Sequence, residues 1–201
     1  MNSSSKPTTR GRPRTITRER IVDAGINMGL PNITFVGVAS ALGVSHMALY
    51  KHVASLEALR HLVAEEIFHR WQLPSPPGPG GKELQQYLLH FTDEVSIFVK
   101  NHPGLAPYLI RRSAATAPML AKIDAHHNAV AATYGLSKTQ TRWLLATITF
   151  HCIAVTDAVY SVAGQPGISD TDSQIDEAEM AAELAEGMRA LIVGALALLK
   201  E

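Results

Sequence analysis

The stretch Thr34-Phe35-Val36-Gly37-Val38-Ala39-Ser40-Ala41-Leu42-Gly43-Val44-Ser45-His46-Met47-Ala48-Leu49-Tyr50-Lys51-His52-Val53 decides the fold. Thr34 and Ser45 are of the residue types that cap helix N-termini, because a hydroxyl oxygen accepts an amide that the first turn leaves unpaired. Gly43, between them, tolerates the positive φ on which a helix ends. The stretch therefore reads as two short helices joined at one glycine, the pattern of a helix-turn-helix. Helices that cross steeply need a small residue at the crossing, here Ala39, and a shared core, here Val38, Leu42, Val44 and Leu49. That packing leaves Ser45, His46, Met47, Ala48, Tyr50, Lys51 and His52 partly outward on a helix able to enter a DNA major groove about 12 Å wide. A small helical bundle with a glycine turn is the simpler account of the same pattern.

Helical signals continue on both sides of this stretch. Upstream, Thr17 caps a helix that places Ile21, Ala24, Gly25 and Met28 on one face and ends at Gly29, before Pro31. Downstream, Ser55 opens a fourth helix through Leu59, Leu62, Val63 and Ile67 to about Trp71. Pro74-Ser75-Pro76-Pro77-Gly78-Pro79-Gly80-Gly81 then interrupts any helix, since four prolines lack amide donors and three glycines add backbone freedom. Beyond it the spacing predicts a helix over Leu84 to Lys100, short pieces between Gly104 and Arg112, and a helix from Pro118 to Tyr134. Ser137 and Gln140 form a capping box that opens an apolar helix to Val162. A polar loop over Ala163 to Gln174 precedes a last helix with the stripe Leu184, Met188, Leu191, Ile192, Ala195, Leu196, Leu199. No stretch reads convincingly as a strand, so an all-α fold is expected.

Charge divides the chain into two parts. Its 18 Lys and Arg balance 18 Asp and Glu, yet residues 1 to 20 carry Lys6, Arg10, Arg12, Arg14, Arg18 and Arg20 against Glu19 alone. Residues 1 to 71 have a net charge of +4 and the remainder −4, which implies an anion-seeking N-terminal part and a separate C-terminal one. Arg10-Gly11-Arg12-Pro13-Arg14 has the Gly-Arg-Pro core of an AT-hook, whose arginines suit a narrow minor groove; a solvated tail is the plainer account. Cys152 is the only cysteine, so no intrachain disulfide forms. The polar, basic start does not resemble a signal peptide, and a cytoplasmic protein is expected. The apolar window Trp143 to Val162 includes His151 and Asp157, which favours a buried helix over a membrane span.

Several segments together resemble the N-terminal domain of the TetR (tetracycline-repressor) family of transcriptional regulators: Thr17 to Ala24, Ile33-Thr34, Val38-Ala39, Leu42 to Ser45, Ala48 to Val53, and Leu56 to Leu59. The resemblance spans roughly residues 14 to 71. It implies an all-helical homodimer with a divergent C-terminal domain that binds a small organic effector and releases a palindromic double-stranded operator. It also implies phosphate contact by Tyr50 and Lys51 and base-edge contact by His46, Met47, Ala48 and His52. Thr34 and Ser45, with Arg10, Arg12 and Arg14 of the arm, complete the expected DNA-binding set. Val36 and Leu56 depart from the family pattern, each removing an expected phosphate contact. The organisation is thus read as a flexible basic arm over 1–13, a three-helix helix-turn-helix DNA-binding domain over 14–73, a Pro/Gly linker over 74–81, and an effector-binding and dimerisation domain over 82–201.

The resemblance places the effector pocket after the linker, where Phe91, Tyr108, Met119, Trp143, Thr147, Phe150 and His151 are candidates; ordinary core is the simpler account of each. The two most apolar helices suggest the dimer interface, with Val155, Val159, Met188, Leu191, Ile192, Ala195, Leu196 and Leu199 as candidates. No catalytic signature is present. Adjacent His126 and His127 point about 100° apart on a helix, and with His151 and Cys152 they do not make a metal-ligand pattern. Neither a cofactor nor a metal is therefore expected. A ligand-responsive repressor is the leading reading. A constitutive DNA-binding or nucleoid protein without an effector, and a helical enzyme or metal carrier, are the alternatives.

Overall fold

The computed structural model describes residues 16–77, 83–160 and 173–199. Among these residues every regular element is helical. The helices are α1 (Arg18–Met28), α2 (Phe35–Leu42), α3 (His46–Tyr50), α4 (Leu56–Arg70), α5 (Leu84–Asn101), α6 (Ala106–Ile110), α7 (Ala117–Tyr134), α8 (Lys138–Tyr160) and α9 (Ser173–Leu198), with 3-10 turns at Leu30–Asn32 and Arg112–Ala114. Local chemistry sets most of the starts. The hydroxyls of Thr17, Thr34, Ser45 and Ser55 each accept the amide three residues on, at 3.3, 3.0, 3.2 and 3.0 Å. At α8 the box is reciprocal, with Gln140 N donating to Ser137 Oγ at 3.2 Å and Ser137 N to Gln140 Oε1 at 3.0 Å. Gly43 ends α2 in the left-handed conformation at φ 69°, which a side chain would disfavour.

Helices α1 to α3 pack on α4 around Ile21, Ile33, Val38, Leu49, Leu59 and Val63, all buried. This core extends beyond the first four helices to Phe98, Leu105 and Met119, so the N-terminal head sits directly on the body. The body is built on α5 and α8, with Tyr87, Leu88, Phe91, Leu144, Leu145, Ile148 and Cys152 at its centre and α9 covering it through Met188 and Ile192. Helix α8 is long and apolar enough to cross a membrane by length and composition alone, but its face through Leu144, Ile148 and Cys152 is spent on that core.

The last helix corrects one expectation. Met188, Ile192 and Ala195 are 5, 0 and 4% exposed inside the chain's own core, and Leu191, Leu196 and Leu199 pack partly against the same cluster. Met188, Ile192 and Ala195 are therefore not available to a second copy, because α9 uses them to cover α5 and α8, whereas Leu191, Leu196 and Leu199 stay half-buried. Val155 and Val159 on α8 are half-buried. The faces left open are others: Trp143, Phe150, Ala154 and Ala158 on α8, and Gly187, Ala190, Val193, Gly194, Ala197 and Leu198 on α9.

Gly25 fixes how closely α1 approaches α4, since a Cβ there would run into Cγ2 of the buried Val63. Gly25→Val is expected to destabilise the fold by about 2 kcal/mol through overpacking, read as a lower urea midpoint; an unchanged midpoint would mean that the two helices are free to separate.

Candidate nucleic-acid interface and internal cavity

Most residues expected to contact DNA lie on or beside α3. Val44 N donates to Ala39 O at 3.0 Å, which closes the turn after Gly43, and buried Leu49 anchors α3 against the head. His46, Met47, Tyr50, Lys51 and His52 are exposed, Met47 by 62%, while Ala48 is half-buried. The Tyr50 ring stacks on Phe35 with centroids 4.2 Å apart, so its position is fixed by α2. Thr34 and Ser45 are exposed but already use their oxygens as caps; their hydroxyl protons stay available to an acceptor. Val36 is 69% exposed at the start of α2, an apolar side chain with no partner in the core. Arg10, Arg12 and Arg14 lie outside the described residues.

A cavity of 330 Å³ lies behind the head, between α4, α5, α6, α7 and α8. Its walls are largely aromatic and aliphatic: Phe68 and Trp71 from α4 and its end, Phe91, Val95 and Phe98 from α5, Leu145, Phe150 and Ile153 from α8. Trp71 stacks on Phe98 at 4.1 Å and Phe91 on His126 at 5.1 Å. The polar lining is Asp124, His126 and His127 from α7 with Arg142 and Thr149 from α8. Burial pushes the Tyr87 phenol above its ordinary range, so Tyr87 keeps its proton. That one proton is donated to Pro74 O at 3.1 Å. His126 Nε2, also 3.1 Å from the phenol oxygen, is then the donor in its pair, which leaves Nδ1 as an acceptor. Burial, then the neighbouring His127, lowers the His126 pKa to about 4. Burial also lowers His127, while Asp124 opposes and Arg142 reinforces the shift. Near neutral pH the cavity thus offers neutral imidazoles. Among the described residues no three His, Cys, Asp or Glu side chains are grouped to hold a metal ion. Cys152 is buried, donates to Thr92 O at 3.4 Å, and has its thiol pushed up to about 11 by burial, so it is no nucleophile.

No family model and no curated protein sequence matches the chain. Solved structures do. A single-substitution variant of TetR from Acinetobacter baumannii AYE in complex with minocycline superposes with a TM-score of 0.70 at 17% identity, over 92% of this chain and 99% of that one. The TetR family protein ActR of Streptomyces coelicolor in complex with actinorhodin gives 0.69 at 19% identity, over 93% and 100%. Apo ActR gives 0.63 at 17%, over 93% and 100%. The chain has the TetR-family fold.

Within that TetR-family fold the expected pocket residues separate. Phe91 and Phe150 line the cavity. Tyr108 instead faces a groove beside α4, and Met119 is buried at 3% exposure in the core that joins head to body. Trp143, Thr147 and His151 occupy the other side of α8 from the lining residues Arg142, Leu145, Thr149 and Ile153; Trp143 is 40% exposed and His151 is exposed too, not a core histidine. Apolar positions spread around α8 do not announce which side faces a cavity. Trp71, Phe98, His126, His127, Arg142 and Thr149 were not among the expected lining residues. The adjacent His126 and His127 are a sequence signal for the α7 wall alone.

The pH dependence of stability follows from His126. Its folded pKa lies below the ordinary histidine value of 6.5, so between about 4 and 6.5 the unfolded chain binds the extra proton. Stability should be intact above pH 6.5 and fall by about 3 kcal/mol as the pH drops through this window. His126→Phe keeps an aromatic ring beside Phe91 and should flatten this part of the melting-temperature profile; an equally steep profile in the variant would assign the acid sensitivity elsewhere.

Proposed function

We propose that this chain is a member of the TetR family and acts in the cytoplasm as a homodimeric transcriptional repressor, released from a palindromic operator when a small organic effector enters the cavity. The observation that carries this reading is the double use of α4, which packs the helix-turn-helix at its first turns and walls the cavity with Phe68 at its last. A ligand between Trp71, Phe91 and Ile153 would press on the helix that holds α3. The effector, by the lining, has an apolar body and a polar edge that meets Asp124, His127 or Arg142. The ligands named in the TetR and ActR complexes, minocycline and actinorhodin, are in keeping with a small organic molecule.

On DNA, Lys51 and Tyr50 meet phosphates, and His46, Met47, Ala48 and His52 meet base edges. Met47 and Val36, both exposed and apolar, suit thymine methyl groups. The arm with Arg10, Arg12 and Arg14 adds minor-groove affinity with little sequence information. The partner copy covers the open faces of α8 and α9, where Gly187, Ala190, Gly194 and Ala197 permit close helix approach. A Cβ added at Gly187 or Gly194 meets nothing within 4 Å in the single chain.

Selection from a random duplex pool with the full chain tests the reading. A palindromic site should emerge. Lys51→Ala should then weaken all sequences alike and lower the salt slope by about one, whereas His46→Ala should relax preference at particular base pairs. Equal losses on selected and random DNA for both variants would remove the assignment. For the dimer, Gly194→Glu should yield a folded monomer in sedimentation; a variant that stays dimeric would place the interface elsewhere.

A further inference from the structure

A second depression, of 510 Å³, separates α4 from the α6 region. Glu57, Arg60 and His61 of α4 line one side, and Tyr108, Arg111 and Ser113 the other. None of its lining residues is shared with the cavity. The one carboxylate in it is already engaged: Glu57 Oε1 accepts from Tyr108 Oη at 3.3 Å and lies 3.3 Å from His61 Nε2. The two guanidinium groups are in the opposite situation. Among the described residues, neither Arg60 nor Arg111 has a carboxylate within ion-pair distance. Arg60 Nε is moreover shut away from solvent without a hydrogen-bond partner.

We propose that this groove binds a small organic dianion, its two oxyanion groups taken by Arg60 on one wall and Arg111 on the other. The arginine fork matches carboxylate and phosphate oxygens alike, with paired N–H donors held in one plane. Ser113 adds a neutral hydroxyl along the groove, whereas the Tyr108 proton is spent on Glu57, whose carboxylate is held by Tyr108 and His61. Arg60 belongs to the helix under the helix-turn-helix and Arg111 to the segment after α6, so the dianion would tie head to body at a place separate from the cavity. This site does not depend on the cavity's holding an effector.

Calorimetric titration of the full chain tests it with two probes that each carry two oxyanion groups, glutarate for carboxylates and 1,3-propanediol bisphosphate for phosphates, at ionic strength matched with chloride. At least one should bind saturably, one per chain, and the preferred probe tells which oxyanion the groove takes. Arg60→Gln and Arg111→Gln should each weaken that binding by about tenfold or more. Arg111 is exposed, so its variant should melt like the parent without ligand, which separates lost binding from lost folding. Absence of binding by both probes above the chloride control would overturn the proposal, as would Arg111→Gln binding with parental affinity.

Discussion

A single ammonium group ties the C-terminal end of α4 to the body. Lys122, on α7, reaches across to the end of α4 and donates to the carbonyls of Phe68 at 3.0 Å, His69 at 2.8 Å and Trp71. Three N–H donors meet three acceptors, so the group is satisfied. The last carbonyls of a helix have no partner within it and carry the negative end of its dipole, and here a cation from the body supplies both needs. Burial holds the Lys122 pKa below the usual lysine range, the cost of placing the charge where it can do this. The same ammonium lies 5.4 Å from the centre of the Phe68 ring.

This contact gives α4 two fixed ends. At its N-terminal half it is buried against α1 and the Leu30–Asn32 turn, with Leu59 and Val63 in the shared core. At its C-terminal end it is bound to α7, one residue from the cavity-lining Ile123 and two from Asp124. The ion pairs around it contribute less. Arg18–Glu65 at 2.6 Å and Arg70 with Asp23 and Glu66 at 2.6 and 2.9 Å are mostly solvent-exposed, and such pairs are worth at most about 1 kcal/mol each. Packing and the lysine contact therefore set where the head sits relative to the cavity. Anything that alters the space between Phe68, Trp71 and Ile123 acts on a helix that is already held at that end.

The sequence carried the head well because its determinants are local. Thr17, Thr34, Ser45 and Ser55 cap within three residues of themselves, and Gly43 needs only its own φ to end α2. Ser137 and Gln140 are equally local. The cavity is another kind of object, made where four longer helices and a short one meet, and its lining depends on their rotation. On α8, Phe150 lines the cavity while staying 42% exposed, whereas Trp143, Thr147 and His151 do not line it. On α9 the strongest apolar stripe went to the chain's own core, and the open face is the one rich in glycine and alanine, which hydrophobicity alone would pass over. Lys122 carried no signal at all, since its acceptors lie some fifty residues earlier in the chain.

The most direct test of this account is native-state hydrogen exchange at the end of α4 in the parent chain and in Lys122→Met, which keeps the length of the side chain and removes its donors. Exchange at the amides of Phe68 to Trp71 should accelerate in the variant, while the amides of α5 and α8 in the body core stay protected. Unchanged protection at residues 68 to 71 would contradict it, and would show that α4 is held to the body by burial alone.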